Sequence, residues 1–231
     1  MLRRDLFKRP RHLFTRLRGL FLLGASASVL LALCASARGQ AQDAPKFEVG
    51  AEFSSLSVRS PDFAGTQDVV GAGARATYNV NDSLAFEAVG YVYRRLKFSD
   101  AAVGGNAAQM QFGVKAGRRF QHFGVFAKAR PGFVLFGDVP VLVGTQTINF
   151  EGQQFVIPVF ESRRKAYFST DVGGVLEFYP SRCIVTRFDF GDTMIRYGAH
   201  RASTFDAATT FVVPASTRHN FQFAAGVGFR F

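Results

Sequence analysis

The last residues of the chain, Asn220–Phe231, alternate between two kinds of side chain. Apolar residues, among them Phe221 and Phe223, occupy the odd positions, and the even positions hold residues such as Gln222 and Arg230. A period of two places successive side chains on opposite faces of a β-strand. The segment therefore predicts a strand whose two faces meet different environments, and the sequence ends on an aromatic residue of the apolar face.

The same alternation recurs along the chain from residue 46 onward. Seven further segments each set an apolar face against a face of charged, polar or small residues: Phe47–Phe53, Val70–Tyr78, Leu84–Arg95, Ala108–Gly117, Phe123–Phe136, Tyr167–Phe178 and Ile184–Phe190. With the C-terminal segment they predict an all-β fold with an even number of strands, as single-chain bacterial barrels require. Pro131 removes a ladder hydrogen bond from the fifth strand and predicts a bulge there.

The connections between these segments alternate in length. Tight turns are predicted after the second, fourth and sixth strands, at Asn79–Ser83, Arg118–His122 and Tyr179–Arg182. Longer connections follow the other strands, near residues 59–68, 99–106, 137–165 and 192–218. Short turns at one rim and long loops at the other are typical of a transmembrane barrel.

These features together resemble the small OmpA/OmpX-type outer-membrane barrels of bacteria, over residues 43–231. The resemblance implies a monomeric, eight-stranded antiparallel up-and-down transmembrane β-barrel in a Gram-negative outer membrane, with the membrane lipid as a partner. It also implies that the barrel-assembly machinery reads the last strand, with Phe229 and Phe231 as the signal. A secreted, lipocalin-like barrel would have to place the Phe-rich faces inside, which is too much volume for a lumen of this size.

The N-terminal residues 1–41 have the three-part pattern of a secretory signal peptide: a basic start, an apolar core at residues 20–33 and small residues after it. We predict cleavage after Ala37 or Ala41, which leaves residues 42–231 as the barrel domain. This segment holds eight basic residues and one acidic residue, so it supplies +7 of the net charge of +11 and leaves +4 for the rest. The remaining charge is ordinary and does not indicate a nucleic-acid partner.

Two cysteines occur in the chain, Cys34 and Cys183. If Cys34 leaves with the signal, no disulfide or cysteine metal site is possible in a monomer. The sequence also lacks a nucleotide-binding glycine loop and a His, Cys and carboxylate cluster at metal-ligand spacing. We therefore predict neither a cofactor nor a metal.

The polar faces of the strands carry charges of both signs, which should point into the lumen. Besides Glu48 and Glu52, the predicted lumen charge network comprises Arg75, Glu87, Arg95, Lys115, Lys128, Arg130, Asp171, Glu177, Arg187, Asp189 and Arg230. In an eight-stranded barrel the side chains fill the interior, so these charges should pair. Such pairing favours a structural ion-pair core, with a gated narrow path for ions or small solutes as the alternative, and the spacing of the residues does not distinguish the two.

The connection at residues 137–165 is unusually apolar around a predicted turn at Glu151-Gly152. Its candidate binding surface consists of Val141, Leu142, Phe150, Phe155, Ile157 and Phe160. We expect the flanking strands to extend as a hairpin that presents this surface to an extracellular ligand or protein. Alternatively, the hairpin folds over the barrel mouth or packs against the connection at residues 192–218.

Some eight-stranded outer-membrane barrels modify lipid A, which requires a nucleophile and a base near the outer rim. His200 and Ser203 are the one pairing of this kind that the sequence offers, and their spacing matches no motif. We therefore predict a protein that is not an enzyme. The predicted function is structural or interactive, with a small gated pore for ions or for small or apolar solutes as the alternative and a lipid A-modifying enzyme third.

Overall fold

The protein folds into a closed β-barrel. The computed structural model describes residues 45–59, 61, 65–96, 104–203 and 210–231. Its strands are β1 (Phe47–Arg59), β2 (Thr66–Asn79), β3 (Leu84–Leu96), β4 (Gly104–Arg119), β5 (Phe123–Phe150), β6 (Gln153–Phe178), β7 (Ile184–Tyr197), β8 (His200–Ser203), β9 (Thr210–Val213) and β10 (Ser216–Arg230).

Eight of these strands close the barrel in the order β1-β10-β7-β6-β5-β4-β3-β2, and β8 pairs with β9 in a separate two-stranded sheet. Every pairing in the barrel is antiparallel. The predicted eight-stranded antiparallel fold is therefore confirmed. The predicted signal at residues 1–41 lies outside the described residues, and within the described ranges no helix is long and apolar enough to cross a membrane.

Tight turns join β2 to β3, β4 to β5 and β6 to β7 at one end of the barrel. The start of β1 lies at this end, because the Asn79 N–H donates to the Lys46 carbonyl at 2.8 Å. The end of β10 lies there as well, because the Arg230 N–H donates to the Cys183 carbonyl at 2.9 Å. We call this the turn end and the opposite end the loop end. The connection predicted at 192–218 is shorter than expected, since β7 continues to Tyr197.

Exposed aromatic side chains occur along the full height of the outward face of the barrel, and we call those near its two ends the aromatic belts. At the turn end the rings of Phe47 and Tyr78 lie 5.1 Å apart, and at the loop end those of Phe133 and Phe168 lie 6.2 Å apart. Along β6 the belts are separated by the segment from Phe168 to Phe178, which at about 3.3 Å per residue and a tilt of about 40° spans roughly 25 Å. This height matches the apolar band of a transmembrane barrel.

The bulge predicted at Pro131 is wrong. The register of β5 is the same on both sides of Pro131 against each neighbouring strand. The proline therefore removes a hydrogen-bond donor from the ladder without inserting an extra residue. The irregularities of the β5–β6 pairing lie instead between Phe136 and Val139 and between Leu142 and Gly144, where β5 leaves the barrel wall.

Beyond these irregularities, β5 and β6 continue as a two-stranded extension. We call this extension the ribbon; it comprises Val139–Phe150 of β5 and Gln153–Arg163 of β6. The ribbon is closed by a two-residue turn at Glu151 and Gly152, with φ angles of 49° and 78°. Two positive φ angles are the signature of the type I′ turn, so the turn predicted at these residues is confirmed. At about 3.3 Å per residue the ribbon extends roughly 40 Å from the barrel.

Candidate functional site

The inward faces of the strands are arranged in three layers from the turn end to the loop end. Along β1 the buried inward residues run from Glu48 and Glu52 through Ser54 to Leu56 and Val58. The layers are therefore charged, then neutral and polar, then apolar. On β7 the same order recurs as Arg187 and Asp189, Thr193, and finally Ile195 and Tyr197.

Glu87 lies at the centre of the charged layer. Arg187 donates to both of its carboxylate oxygens, with Nη2 2.9 Å from Oε2. Arg130 Nη1 lies 3.4 Å from Oε2, and Lys115 Nζ lies 3.6 Å from Oε1. Lys115 also forms a close ion pair with Glu177. The Glu87 carboxylate is thus paired with cations inside the barrel, and such pairing offsets the cost of burying these charges.

A second group of ion pairs lies one step closer to the loop end. Asp171 Oδ2 accepts from Arg130 Nη2 at 2.5 Å and from Lys128 Nζ at 2.8 Å. Asp189 accepts from Arg187 Nε at 2.5 Å and lies 3.1 Å from Lys128. Because Arg130 and Arg187 belong to both groups, the charged layer is a single connected network.

At the turn end, Tyr179 covers the lumen. Its hydroxyl donates to Glu177 at 2.9 Å and accepts from Arg119 Nε at 3.1 Å. The Arg230 guanidinium lies 4.3 Å from the centre of the Tyr179 ring, in the geometry of a cation–π contact. Glu48 lies within 3.3 Å of both arginines. Arg119 was missed in the sequence because it falls where the strand was expected to turn.

The predicted lumen charges lie together in the structure, except Arg95, whose side chain lies outside the described part of the chain. The others are buried on inward faces: Glu48, Glu52, Arg75, Glu87, Lys115, Lys128, Arg130, Asp171, Glu177, Arg187, Asp189 and Arg230. Arg75 joins the network through Glu48, with Nη1 3.4 Å from Oε2, and it also pairs with Glu52, with Nε 2.7 Å from Oε1.

The neutral layer is held by hydrogen bonds among uncharged side chains. Gln222 Nε2 donates to Ser54 Oγ at 3.2 Å, and Gln222 Oε1 accepts from Thr193 Oγ1 at 2.5 Å. Tyr93 donates to Gln109 at 2.6 Å.

Two further groups of this region have no partner within the described protein: the amide of Gln111 and the hydroxyl of Ser169. Both side chains are fully buried, and Gln111 and Ser169 face Gly132 from the two neighbouring strands. Groups of this kind bind ordered water in protein interiors.

The loop end of the lumen is closed by apolar side chains. We call this cluster the apolar plug; it consists of Leu56, Val58, Val69, Val134, Phe136, Ile195 and Tyr197, all nearly inaccessible to solvent. The ring of Tyr167 packs on it, 4.8 Å from Tyr197 and 6.0 Å from Phe136. The plug was not predicted, because apolar residues were assigned to the outward face throughout.

The ribbon exposes apolar side chains on the face that continues the inward face of the barrel. The register places Ile148 opposite Phe155, Gln146 opposite Ile157 and Phe150 opposite Gln153. Phe150 is 64 % exposed and Phe155 is 45 % exposed. Val141 lies on this face too, nearer the barrel.

The opposite face of the ribbon carries Leu142, Phe160 and Val156, separated by threonines. The predicted binding residues are thus divided between the two faces: Val141, Phe150, Phe155 and Ile157 lie on one, and Leu142 and Phe160 lie on the other. The section from Gly144 to Val159 contains a single charged residue, Glu151.

The β8–β9 hairpin lies beside β5 at the loop end. Because β5 includes both barrel wall and ribbon, the alternative in which the apolar hairpin packs against the connection at 192–218 stays a prediction. Much apolar surface of the β8–β9 hairpin is open, since Phe211 is 49 % exposed and Val212 is 65 % exposed.

His200 and Ser203 are not brought together as a catalytic pair would require. They stand three residues apart on β8, and side chains three apart on a strand point to opposite faces. Among the described residues no group of three His, Cys, Asp or Glu side chains could hold a metal ion.

The predicted assembly signal lies at the turn end. Phe229 is half-buried within β10, and Phe231 directly follows the strand and is 40 % exposed.

A closed eight-stranded barrel with this interior and these aromatic belts has the fold of the small outer-membrane β-barrels. Neisserial surface protein A has this fold, with a TM-score of 0.50, 13 % identity, and coverage of 82 % of this chain and 100 % of that one. The outer membrane protein OprG from Pseudomonas aeruginosa is similar with a TM-score of 0.51, 10 % identity, and coverage of 82 % and 97 %. No protein-family model and no curated protein matches the chain in sequence.

Proposed function

We propose that the protein is an integral outer-membrane barrel with a closed interior, which serves as a scaffold for the ribbon outside the membrane. The observation that carries this proposal is the filled lumen, whose inward side chains are buried from the charged layer to the apolar plug. The location is supported by the aromatic belts and by the similar folds of an outer membrane protein and a surface protein.

The described residues of the lumen leave no continuous polar path. An ion entering from the turn end would have to separate Tyr179 from Arg119 and Arg230, and would then meet the connected ion pairs. Beyond these ion pairs it would meet the apolar plug, whose buried side chains are mostly hydrocarbon and do not coordinate a permeating ion. Passage thus requires the rearrangement of three layers, which favours the scaffold over the pore.

We expect the purified protein in a planar bilayer to be electrically silent. Folding would be verified by the difference in gel migration between unheated and boiled samples, and a large open porin would show that the bilayer detects single channels. Reproducible conductance steps from the folded protein would contradict the closed interior and favour the pore.

The ribbon is suited to binding through its faces rather than along its edges. In a two-residue hairpin the Phe150–Gln153 pair is hydrogen-bonded, so the pairs at even steps from it are too. The pair of Thr145 and Pro158 is five pairs from the turn-flanking pair, so it is not hydrogen-bonded. The backbone nitrogen of Pro158 therefore points away from β5, toward the free edge of β6. A proline at that position offers no donor to an added strand, whereas Phe150 and Phe155 offer apolar contact area.

The double substitution Phe150→Ser/Phe155→Ser tests whether this face is an open apolar surface. In nanodiscs, the affinity for the neutral apolar dye Nile red should fall by about tenfold, because two half-exposed aromatic rings are lost. Empty discs give the background, and Asn149→Ser/Gln154→Ser, on the opposite face, is the matched control. Equal dye binding by both variants and the wild type would mean that the protein itself covers the face.

A further inference from the structure

Among the residues that the structure describes, four arginines lie on the outward face of the barrel at its loop end: Arg59 on β1, Arg94 on β3, Arg164 on β6 and Arg196 on β7. All four side chains are exposed. Arg59, Arg164 and Arg196 each stand an even number of residues from an exposed apolar side chain of the same strand, so they share that outward face. On β3, Arg94 lies at the start of the irregular pairing between Tyr93 and Leu96, and its side chain is exposed directly after the buried Tyr93. We call these residues the arginine girdle.

The position of the girdle marks the outer edge of the apolar band. A cation on the lipid-facing side is costly at the middle of the bilayer and costs little at the interface. Phe168 of the loop-end aromatic belt pairs directly with Arg196, so this guanidinium lies beside the belt. The girdle therefore lies at the depth of the lipid headgroups.

Carboxylates on the same outward face already have partners. Asp192 pairs with His219 at 2.5 Å and accepts from the Asn220 N–H at 3.0 Å. Asp68 accepts from Ser57 at 2.5 Å. Asp138, at the same end, accepts from Ser162 at 3.2 Å. Among the described residues the four arginines outnumber these three carboxylates, so their combined charge is positive.

From this geometry we infer that the arginine girdle binds the phosphate groups of lipids in the outer leaflet. A guanidinium donates two parallel hydrogen bonds to a phosphate, and basic residues at a membrane surface attract anionic headgroups. A soluble anion is a poorer match, because the girdle lies on the side of the barrel that the lipid covers rather than on the ribbon. The inference rests on the proposed location in the outer membrane.

The test measures binding of bisphosphorylated lipid A to the purified protein in phosphocholine nanodiscs. We expect saturable binding by the wild type. In the variant Arg59→Gln/Arg94→Gln/Arg164→Gln/Arg196→Gln the affinity should fall by about thirtyfold, because a lipid with two phosphates pairs with about two of these guanidinium groups at once. Removing both phosphates from lipid A should weaken its binding to the wild type equally.

The matched control removes exposed cations at the turn end with Lys46→Gln/Arg118→Gln, which should leave lipid A affinity unchanged. All variants should show the heat-dependent gel shift of a folded barrel, since the changed side chains are exposed. Undiminished binding by the girdle variant, or equal binding of the lipid without phosphates, would overturn the inference. Neither result would contradict the proposal that the barrel is a closed scaffold, because the conductance experiment tests that proposal separately.

Discussion

The substitution Arg187→Met should destabilise the barrel by roughly 3–5 kcal/mol, the cost of leaving buried charges without their partner. Arg187 is fully buried and holds Glu87 and Asp189 at once. Methionine keeps the aliphatic volume but donates nothing, so two carboxylates lose their strongest contact in a site that water does not reach. Urea unfolding in lipid vesicles, followed by the loss of the heat-dependent gel shift, measures the change.

The control for this experiment is Arg163→Met. Arg163 pairs with Glu161 at 2.6 Å, but the two side chains are 56 % and 55 % exposed. An exposed pair contributes about 0–1 kcal/mol, so this variant should unfold almost like the wild type.

The double variant Arg187→Met/Glu87→Gln adds a sharper comparison. Removing the carboxylate together with its cation should cost less than the sum of the two single changes. Strict additivity would contradict the coupled network.

The second large effect is expected from Gly132→Ala in the wall of the barrel. A Cβ atom on Gly132 would lie 2.0 Å from the Met110 carbonyl oxygen and 2.7 Å from the Gln111 Cα. Both atoms belong to the backbone of β4, so relief requires the two strands to separate. We expect a loss of about 3 kcal/mol or more in the free energy of unfolding, measured by the same urea assay.

Gly144→Ala is the matched substitution outside the barrel. Nothing lies within 4 Å of a Cβ atom at Gly144. The change in stability should therefore remain within about 0.5 kcal/mol. If the two alanine variants unfolded alike, the close approach of β4 and β5 at Gly132 would not be a constraint on the barrel.

The barrel itself was predictable from the sequence because one face of each strand meets lipid and the other meets a crowded lumen. That difference produces an alternation of apolar and polar residues with a period of two. The alternation marks the strands, the tight turns between them and the charges that point into the lumen. Glu87 and Arg187 were both predicted to point inward, but their pairing could not be predicted without the register of the strands.

The apolar plug was not predictable by the same logic. Near the loop end of β5, in the run Phe133-Val134-Leu135-Phe136, apolar residues occupy both faces, so alternation no longer distinguishes lumen from lipid. The irregularity between Phe136 and Val139 then reverses the parity of β5. A run that is apolar on both faces beside a polar lumen is the signal that would have indicated a plug.

The two-residue turn at Glu151 and Gly152 affects how well the ribbon resists proteolysis outside the cell. Proteases bind their substrates as single extended strands, and they cut most readily at loose loop tips. Here the tip has only two residues between hydrogen-bonded strands. A protease would have to unzip several strand pairs before it could bind a cleavable segment, so a long apolar projection can persist where an unstructured loop of the same length would be cut.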